Sequence, residues 1–429
     1  MSMWWDPYNL YRSEQFRGFW RKHLEAHGRR LLFIVGAGFD PRVIGPAKEI
    51  IACAPGVARR CLAIDMSEGY GTDEAASDLG AQNRAGLQAL FPGDALEIRH
   101  LITTDADGIR DVSRSAAVLL ADFQTWIGDY TDIIVDISAL PRLVYLTVLN
   151  TLLSHLVKPD AVAPLGSSIN LHVVYAESAT IDNSITKFEI ETDLAPIQSL
   201  ALRLDEEASL GWPIVWFPVL AEDVLEQLTR IGERTDPDEI CPVLPVQSAD
   251  ARRGDDIINT LGEFLFDRYD VDVRDILRAT EWNPFQLYRC LMQTMARYEE
   301  SLKLFGGARF VLSPLSSKGL SIGCLLAVFE KRATGNRAGV RVGMAHVESR
   351  RYGAAQVPKD VEYQLISAWI AGECYDVPPS AVAPKVAVEA QAEPSGAAPE
   401  QKTVDPGVAR SKPADQSTAR RARSRKGVD

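Results

Sequence analysis

Phe33-Ile34-Val35-Gly36-Ala37-Gly38-Phe39-Asp40-Pro41-Arg42 reads as the end of a strand buried on both faces, a glycine turn and the approach to a helix. Leu31 to Val35 is a continuous apolar run, too short for a helix and closed by Gly36. Glycine permits a tight turn and lets the backbone approach a ligand, while the first N–H groups of a following helix can meet negative charge. Asp65 closes the next apolar run, 27 positions after Gly38 (65 minus 38), near where an acidic residue commonly accepts hydrogen bonds from ribose hydroxyls. Two readings of this turn stand, a ligand cradle and a structural strand-to-helix bend. The third glycine of the dinucleotide fingerprint is absent, so an NAD enzyme is not favoured.

Outward from this stretch, apolar runs alternate with helical stretches, the rhythm of a doubly wound sheet. Strands are expected at 31–35, 61–65, 96–102, 133–136 and 171–176, with helices at 43–52, 83–90, 109–125 and 143–157. The fold class is therefore α/β: a Rossmann-like parallel sheet over 28–200, with a second, smaller α/β unit over 281–376. Residues 1–27 are expected to form a helical extension, whose Trp4, Trp5, Tyr8, Phe16 and Trp20 either pack on the first domain or mark a contact between copies in a homo-oligomer. Residues 201–280 read as a connecting region, with an apolar run at 212–220 broken by Pro213 and Pro218 and helices at 222–231 and 254–268. In the second unit a helix over 284–304, a strand at 310–312, a helix over 317–330 and a strand pair near 338–348 are expected. From about residue 377 the chain turns to Ala, Pro, Ser, Glu and Gln, which cannot bury enough apolar area to offset the entropy of ordering, so a disordered tail is expected. Its last stretch, 409–429, carries seven Lys or Arg against two acids and reads as a solvated tail or a weak arm for nucleic acid or an acidic partner.

The formal charge of −12 argues against general attraction to nucleic acid or anionic membrane, so a phosphate site must be local. No window approaches 18 consecutive apolar residues and no leader pattern opens the chain, which points to the cytoplasm and to no membrane contact. The six cysteines are scattered, without a CxxC pair or a nearby histidine at ligand spacing; they read as free thiols, and no metal site is expected.

Further candidate chemistry lies in three places. In Val135-Asp136-Ile137-Ser138-Ala139-Leu140-Pro141-Arg142 the fourth strand yields to a helix, and Asp136, Ser138 and Arg142 would face the same mouth as Gly36, Gly38, Asp40, Arg42 and Asp65. Arg142 suits a phosphate or carboxylate, whereas Asp136 and Ser138 serve equally well as helix caps. In Leu312-Ser313-Pro314-Leu315-Ser316-Ser317-Lys318-Gly319, Ser316, Ser317 and Lys318 could converge on an anion, or the serines could cap the helix. At Arg252-Arg253, Arg253 is the third cation suited to phosphate, whereas Asn283 before Pro284 reads as a helix start. HExxH, GxSxG and P-loop patterns are absent, which disfavours hydrolysis with a standard nucleophile; His172 falls in a buried strand and His346 on a late strand.

The stretch Ile34 to Arg42 followed by Asp65 resembles the first two motifs of S-adenosylmethionine-dependent methyltransferases, which implies the methionine and adenosine ends of that cofactor near Gly36 and Asp65. The segment Ile133 to Arg142 is similar to the ligand loop of CRISPR-associated Rossmann-fold sensor domains, which implies recognition of a nucleotide second messenger near Asp136, Ser138 and Arg142. The expected function is binding of a nucleotide-like or phosphorylated ligand by a sensor or regulatory protein, in a bacterial stress or phage-defence setting. A methyltransferase-like enzyme and a non-catalytic scaffold are the alternatives.

Overall fold

Five parallel strands run Arg30–Gly36, Ala58–Asp65, Leu96–His100, Asp132–Asp136 and Asn170–Glu177 in the computed structural model, and across the sheet they lie in the order third, second, first, fourth, fifth. The structure describes residues 3–67, 70–104, 110–195, 197, 199–203, 206–334, 339–358 and 362–376. The basic tail and the disorder expected of it fall outside them. The first, fourth and fifth of these strands are almost continuously apolar and buried, as strands covered on both faces must be, whereas Leu96–His100 at the edge is only half-buried. The sheet is extended antiparallel by Gln364–Ala371, which pairs with Asn170–Glu177, and then by Asn9–Arg12.

The stretch 201–280, expected as a connection, instead supplies strands Ile214–Val219, Val243–Val246 and Leu277–Thr280 to a second parallel sheet. Ala308–Pro314 and Val340–Met344 complete it, and Glu239–Ile240 pairs alongside. Prolines disguised the first of these strands, because Pro218 sits in register with Ser313 inside a buried strand where proline is ordinarily disfavoured. Numbered along the chain, the principal strands of this sheet also lie third, second, first, fourth, fifth. Two topologically equivalent parallel sheets thus occupy the described chain, a duplication that no sequence repeat announces.

In each sheet the fourth strand feeds a helix: Arg142–Leu156 in the first, Lys318–Ala333 in the second, and these two helices pack on one another. Both are apolar nearly all round, and 11 of 15 residues in one and 13 of 16 in the other are buried. Each fully buried Leu or Val here contributes about 1.5–3 kcal/mol relative to exposure. One apolar cluster runs without interruption from Ile133 and Val135 through Leu146 and Leu149 to Leu326, Phe310 and Phe217, so the two sheets share a core. Gly323 admits the neighbouring helix Pro284–Leu302: a Cβ there would lie 2.5 Å from the Pro284 carbonyl oxygen.

The N-terminal stretch is a strand, Asn9–Arg12, followed by a helix, Glu14–Leu24, rather than one helix. Its aromatics turn inward. Trp5, Phe16 and Trp20 are buried, Trp5 Nε1 donates to the Ile370 carbonyl at 2.8 Å, and Tyr8 stacks on Phe285 with centroids 4.7 Å apart. The segments Val340–Met344 and Ser349–Gly353 are not a mutual pair; the second belongs to a three-stranded sheet with Thr186–Ile190 and Gly71–Thr72. All six cysteines are unpaired. No helix among the described residues is long and apolar enough to cross a membrane.

Candidate functional site

In an open parallel sheet the strand order reverses between the first and fourth strands, and the loops leaving their carboxyl ends splay apart to leave a crevice. Here there are two such points. Residues 37–40, 42 and 139–142 of the first sheet and 221–224 and 315–319 of the second border a single cleft of about 1240 Å³.

The glycine turn is shaped by protein as much as by any ligand. A Cβ on Gly36 would meet the Ala139 backbone and the Leu140 side chain, each at 3.1 Å, so Gly36 lets the 137–141 loop close against it. Asn83 Nδ2 donates to the carbonyls of Gly38 (2.8 Å) and Asp40 (2.9 Å) and fixes the turn from the helix Glu74–Leu90. The next helix begins only at Gly45, seven positions beyond Gly38 (45 minus 38), so the N–H groups of its first turn do not stand directly at the bend. Asp65 accepts from the Ser67 N–H at 2.9 Å, with Arg84 at 3.9 Å and His100 at 3.5 Å from its other oxygen.

Two of the expected cations are already neutralised by carboxylates. Arg42 is 1% exposed and forks onto Asp40 (2.9 and 2.7 Å), with Asp182 at 2.8 Å and the Ala176 carbonyl at 3.2 Å. Burial would raise the Asp40 carboxyl, yet the adjoining guanidinium holds it below its usual range. Arg253 is gripped by Glu222 at 2.7 and 3.0 Å and by Glu281. Sequence spacing could not reveal Asp182, Glu222 or Glu281 as partners, since they arrive 140, 31 and 28 positions away.

The other two cations are differently placed. Arg142, the first residue of its helix, reaches across to the second sheet's loop, donating to Ser321 Oγ at 3.1 Å and to the Ser316 carbonyl. Lys318, the first residue of the equivalent helix, reaches the opposite way, donating to the carbonyls of Ile137 (2.9 Å) and Ser138. Equivalent positions of the two halves therefore clasp each other reciprocally, and both positive charges rest on neutral oxygens. Burial and the nearby Arg42 push the Lys318 ammonium down to about 8.

Ser138 and Ser317 behave as capping and turn residues. Ser138 Oγ accepts from the Ala176 N–H at 2.8 Å, and Ser317 Oγ accepts from the Leu320 N–H at 3.3 Å. Ser316 Oγ, by contrast, is buried with no hydrogen-bond partner, as are Tyr70 Oη, His346 Nδ1 and one oxygen of Glu177, and all four residues line the cleft. Buried polar atoms ordinarily find partners, so these four leave unmet hydrogen-bonding capacity around the cleft.

Asp136 accepts from the Ser138 N–H at 2.9 Å with one oxygen, while the other is buried and unpartnered. Burial pushes this carboxyl up to about 7, against hydrogen bonds from Ser138 that pull it down. An acid whose folded value exceeds its unfolded one keeps a proton that the unfolded chain releases, so its favourable contribution is present below pH 4 and declines as pH rises towards 7. Asp136→Asn should therefore gain stability relative to the parent as pH rises from 4 to 7.5, by at most about 4 kcal/mol, and then level off. Urea unfolding of both proteins across that range measures the gap; a gap independent of pH would contradict it.

Away from the cleft, at the opposite ends of the same strands, His23, Asp132 and His172 lie together and buried, a cluster the sequence did not suggest. His23 Nε2 is 2.6 Å and His172 Nε2 3.4 Å from Asp132 Oδ1, which also accepts from Asn170 at 3.0 Å. Arg29 lies 3.5 Å from the second oxygen, which accepts from Thr131 at 2.6 Å. The 2.6 Å contact is a hydrogen-bond distance, and the carboxylate is already saturated by donors.

No family model matches this chain. No curated protein matches it either. Among solved structures, a protein described as a universal stress protein from Pseudomonas aeruginosa UCBPP-PA14 aligns over 74% of this chain and 94% of its own at 8% identity, with a TM-score of 0.19. A likeness that slight transfers neither ligand nor activity. The mixed α/β class stands on the strands and helices described above.

Proposed function

We propose that the cleft binds a nucleotide-like or phosphorylated ligand and that the protein acts as a sensor or regulatory module. The observation that carries this reading is the reciprocal clasp: Arg142 and Lys318 leave equivalent helix starts, meet over one crevice and rest on neutral oxygens rather than carboxylates. Such cations can take up an anion without first breaking an ion pair, and charge-assisted bonds to phosphate are the stronger class of hydrogen bond. Two equivalent switch points around one cleft also favour a ligand that repeats itself, such as a cyclic nucleotide with two or more like phosphates. A volume of about 1240 Å³ accommodates a ligand of that size.

Thermal-shift screening tests the reading with cyclic di-AMP, cyclic tetra-adenylate, ATP, NAD and S-adenosylmethionine as probes. Stabilisation by a cyclic nucleotide is expected. A response confined to S-adenosylmethionine would replace sensing with methyl transfer, and silence towards the whole panel would leave the interaction scaffold. Because Lys318 loses its charge near pH 8, affinity for the phosphate-bearing probe should be flat to about pH 7 and fall through pH 8–9. Titration calorimetry at pH 6.5 and 9 checks this, and equal affinities would remove Lys318 from the contact.

A further inference from the structure

The seven-stranded sheet ends on one side at Leu96–His100, and among the described residues no strand pairs with the outer edge of that segment. The direction of its backbone groups follows from one bond. Leu101 donates to the Asp65 carbonyl at 2.8 Å, so residues 97, 99 and 101 face the neighbouring strand while 96, 98 and 100 face outward. Leu96 turns its N–H back to the Gly93 carbonyl. The N–H and C=O groups of Ile98 and His100 and the carbonyl of Leu96 therefore line an open edge. Natural sheets blunt such edges with lysine, proline or a bulge, and Leu96-Glu97-Ile98-Arg99-His100 carries none of these.

We propose that this edge is a homodimer interface, in which the strand pairs antiparallel with a second copy of itself about a two-fold axis through Ile98. The strand is self-complementary: in that register Ile98 meets Ile98, Leu96 meets His100, and Glu97 meets Arg99 on each side of the axis. Because Ile98 faces outward, the axis falls on a hydrogen-bonded pair. Ile98 exchanges both bonds with its twin, and each His100 N–H reaches the Leu96 carbonyl of the other copy. Opposite charges placed directly across such a pair stabilise it. The side chains are at hand for this: Glu97 is 44% exposed with its second oxygen 3.8 Å from Arg60, and Arg99 is held in place by Glu97 at 2.7 Å and Asp122 at 2.8 Å.

Apolar surface lies beside the seam. Ile102, two positions past the strand, is 63% exposed, and Val118, 64% exposed, precedes Leu119, whose carbonyl accepts from Arg99. Covering them adds area to a five-residue pairing that is small by itself for a stable interface. The edges of the second sheet are less suited. Met344 in its last strand donates to the Leu200 carbonyl, and Leu277–Thr280 carries Arg278 with no acid to answer it. The N-terminal aromatics, offered by the sequence as a contact between copies, are spent inside the chain. Two-fold pairing through Ile98 joins the first sheets of two molecules into one continuous sheet, a closed isologous contact that cannot propagate into fibres.

Sedimentation equilibrium of the full chain over a wide range of concentration tests this, and a reversible dimer is expected. Glu97→Arg sets like charges opposite each other on both sides of the axis and should weaken association by about 10-fold or more. His100→Pro removes an outward N–H while sparing the bonds to the neighbouring strand; it should weaken association likewise, and serves should the arginine variant fail to fold. Ile98→Cys should link to its twin in air, since directly opposed residues of a hydrogen-bonded pair have Cα atoms about 5.5 Å apart. Leu96→Cys, opposite His100, should not, and the parent with its own six cysteines is the control. A chain that stays monomeric at every concentration would overturn the assignment. So would a dimer that neither Glu97→Arg nor His100→Pro weakens, or one in which Ile98→Cys fails to link.

Discussion

Asp132→Ala is expected to lose about 3–5 kcal/mol of folding stability at pH 7, the largest loss of any single polar substitution considered for this chain. The reason is the number of groups left facing nothing. His23, Asn170, Thr131 and Arg29 all direct donors or charge at this carboxylate, which is itself fully buried. Burial alone would raise its pKa; the contacts with His172 and His23 overcome that and keep it ionised far into acid. A carboxyl depressed in the folded state contributes stability above its unfolded value, near pH 4, that is lost as pH falls through the folded one. The deficit of the variant should therefore be full at pH 5–8 and narrow below about pH 4. Chemical denaturation at pH 7 and pH 3 measures it, and a loss under 1 kcal/mol at pH 7 would mean that this cluster is not a structural hub.

The double variant Arg142→Met/Lys318→Met is expected to weaken binding of a phosphate-bearing ligand by about 3–6 kcal/mol, on the order of 10²–10⁴-fold, from two charge-assisted hydrogen bonds of about 1.5–3 kcal/mol each. Each single variant should show more than half the effect. Coupling is anticipated, because the two side chains brace each other's loops and removal of one loosens the seat of the other. Calorimetry on the parent, the singles and the double completes the cycle. Retention of parental affinity by the double variant would show that the clasp only joins the two halves of the molecule.

The first sheet was legible because its strands carry their signal locally. Ile133 to Asp136 and Leu171 to Ala176 are apolar runs bounded by turn chemistry, and the structure places strands there. The second sheet was half hidden, since Pro213 and Pro218 bracket and interrupt a run that tertiary pairing with Ser313 and Pro314 nevertheless holds extended. The antiparallel strand Gln364–Ala371 was not foreseen, for its pairing with Asn170–Glu177 is wholly non-local. At the site, sequence spacing brought Gly36, Arg142 and Lys318 under suspicion through strand-to-helix transitions, and the structure brings these three loops into contact. It could not separate Arg142 and Lys318 from Arg42 and Arg253, because that distinction depends on carboxylates delivered from distant segments. His346 drew attention only as a lone histidine on a late strand whose exposure the sequence left open; it and Glu348, two positions on, are both buried.

The threading of the first sheet bears on how the protein is made. Asn170–Glu177 waits for its partner Gln364–Ala371 while 186 residues lying between them (178 to 363), including the whole second sheet, are added. On the ribosome the nascent chain therefore carries an open strand edge, the kind of template on which neighbouring chains can assemble. Synthesis interrupted anywhere between these two strands would release a product with that edge lacking its partner.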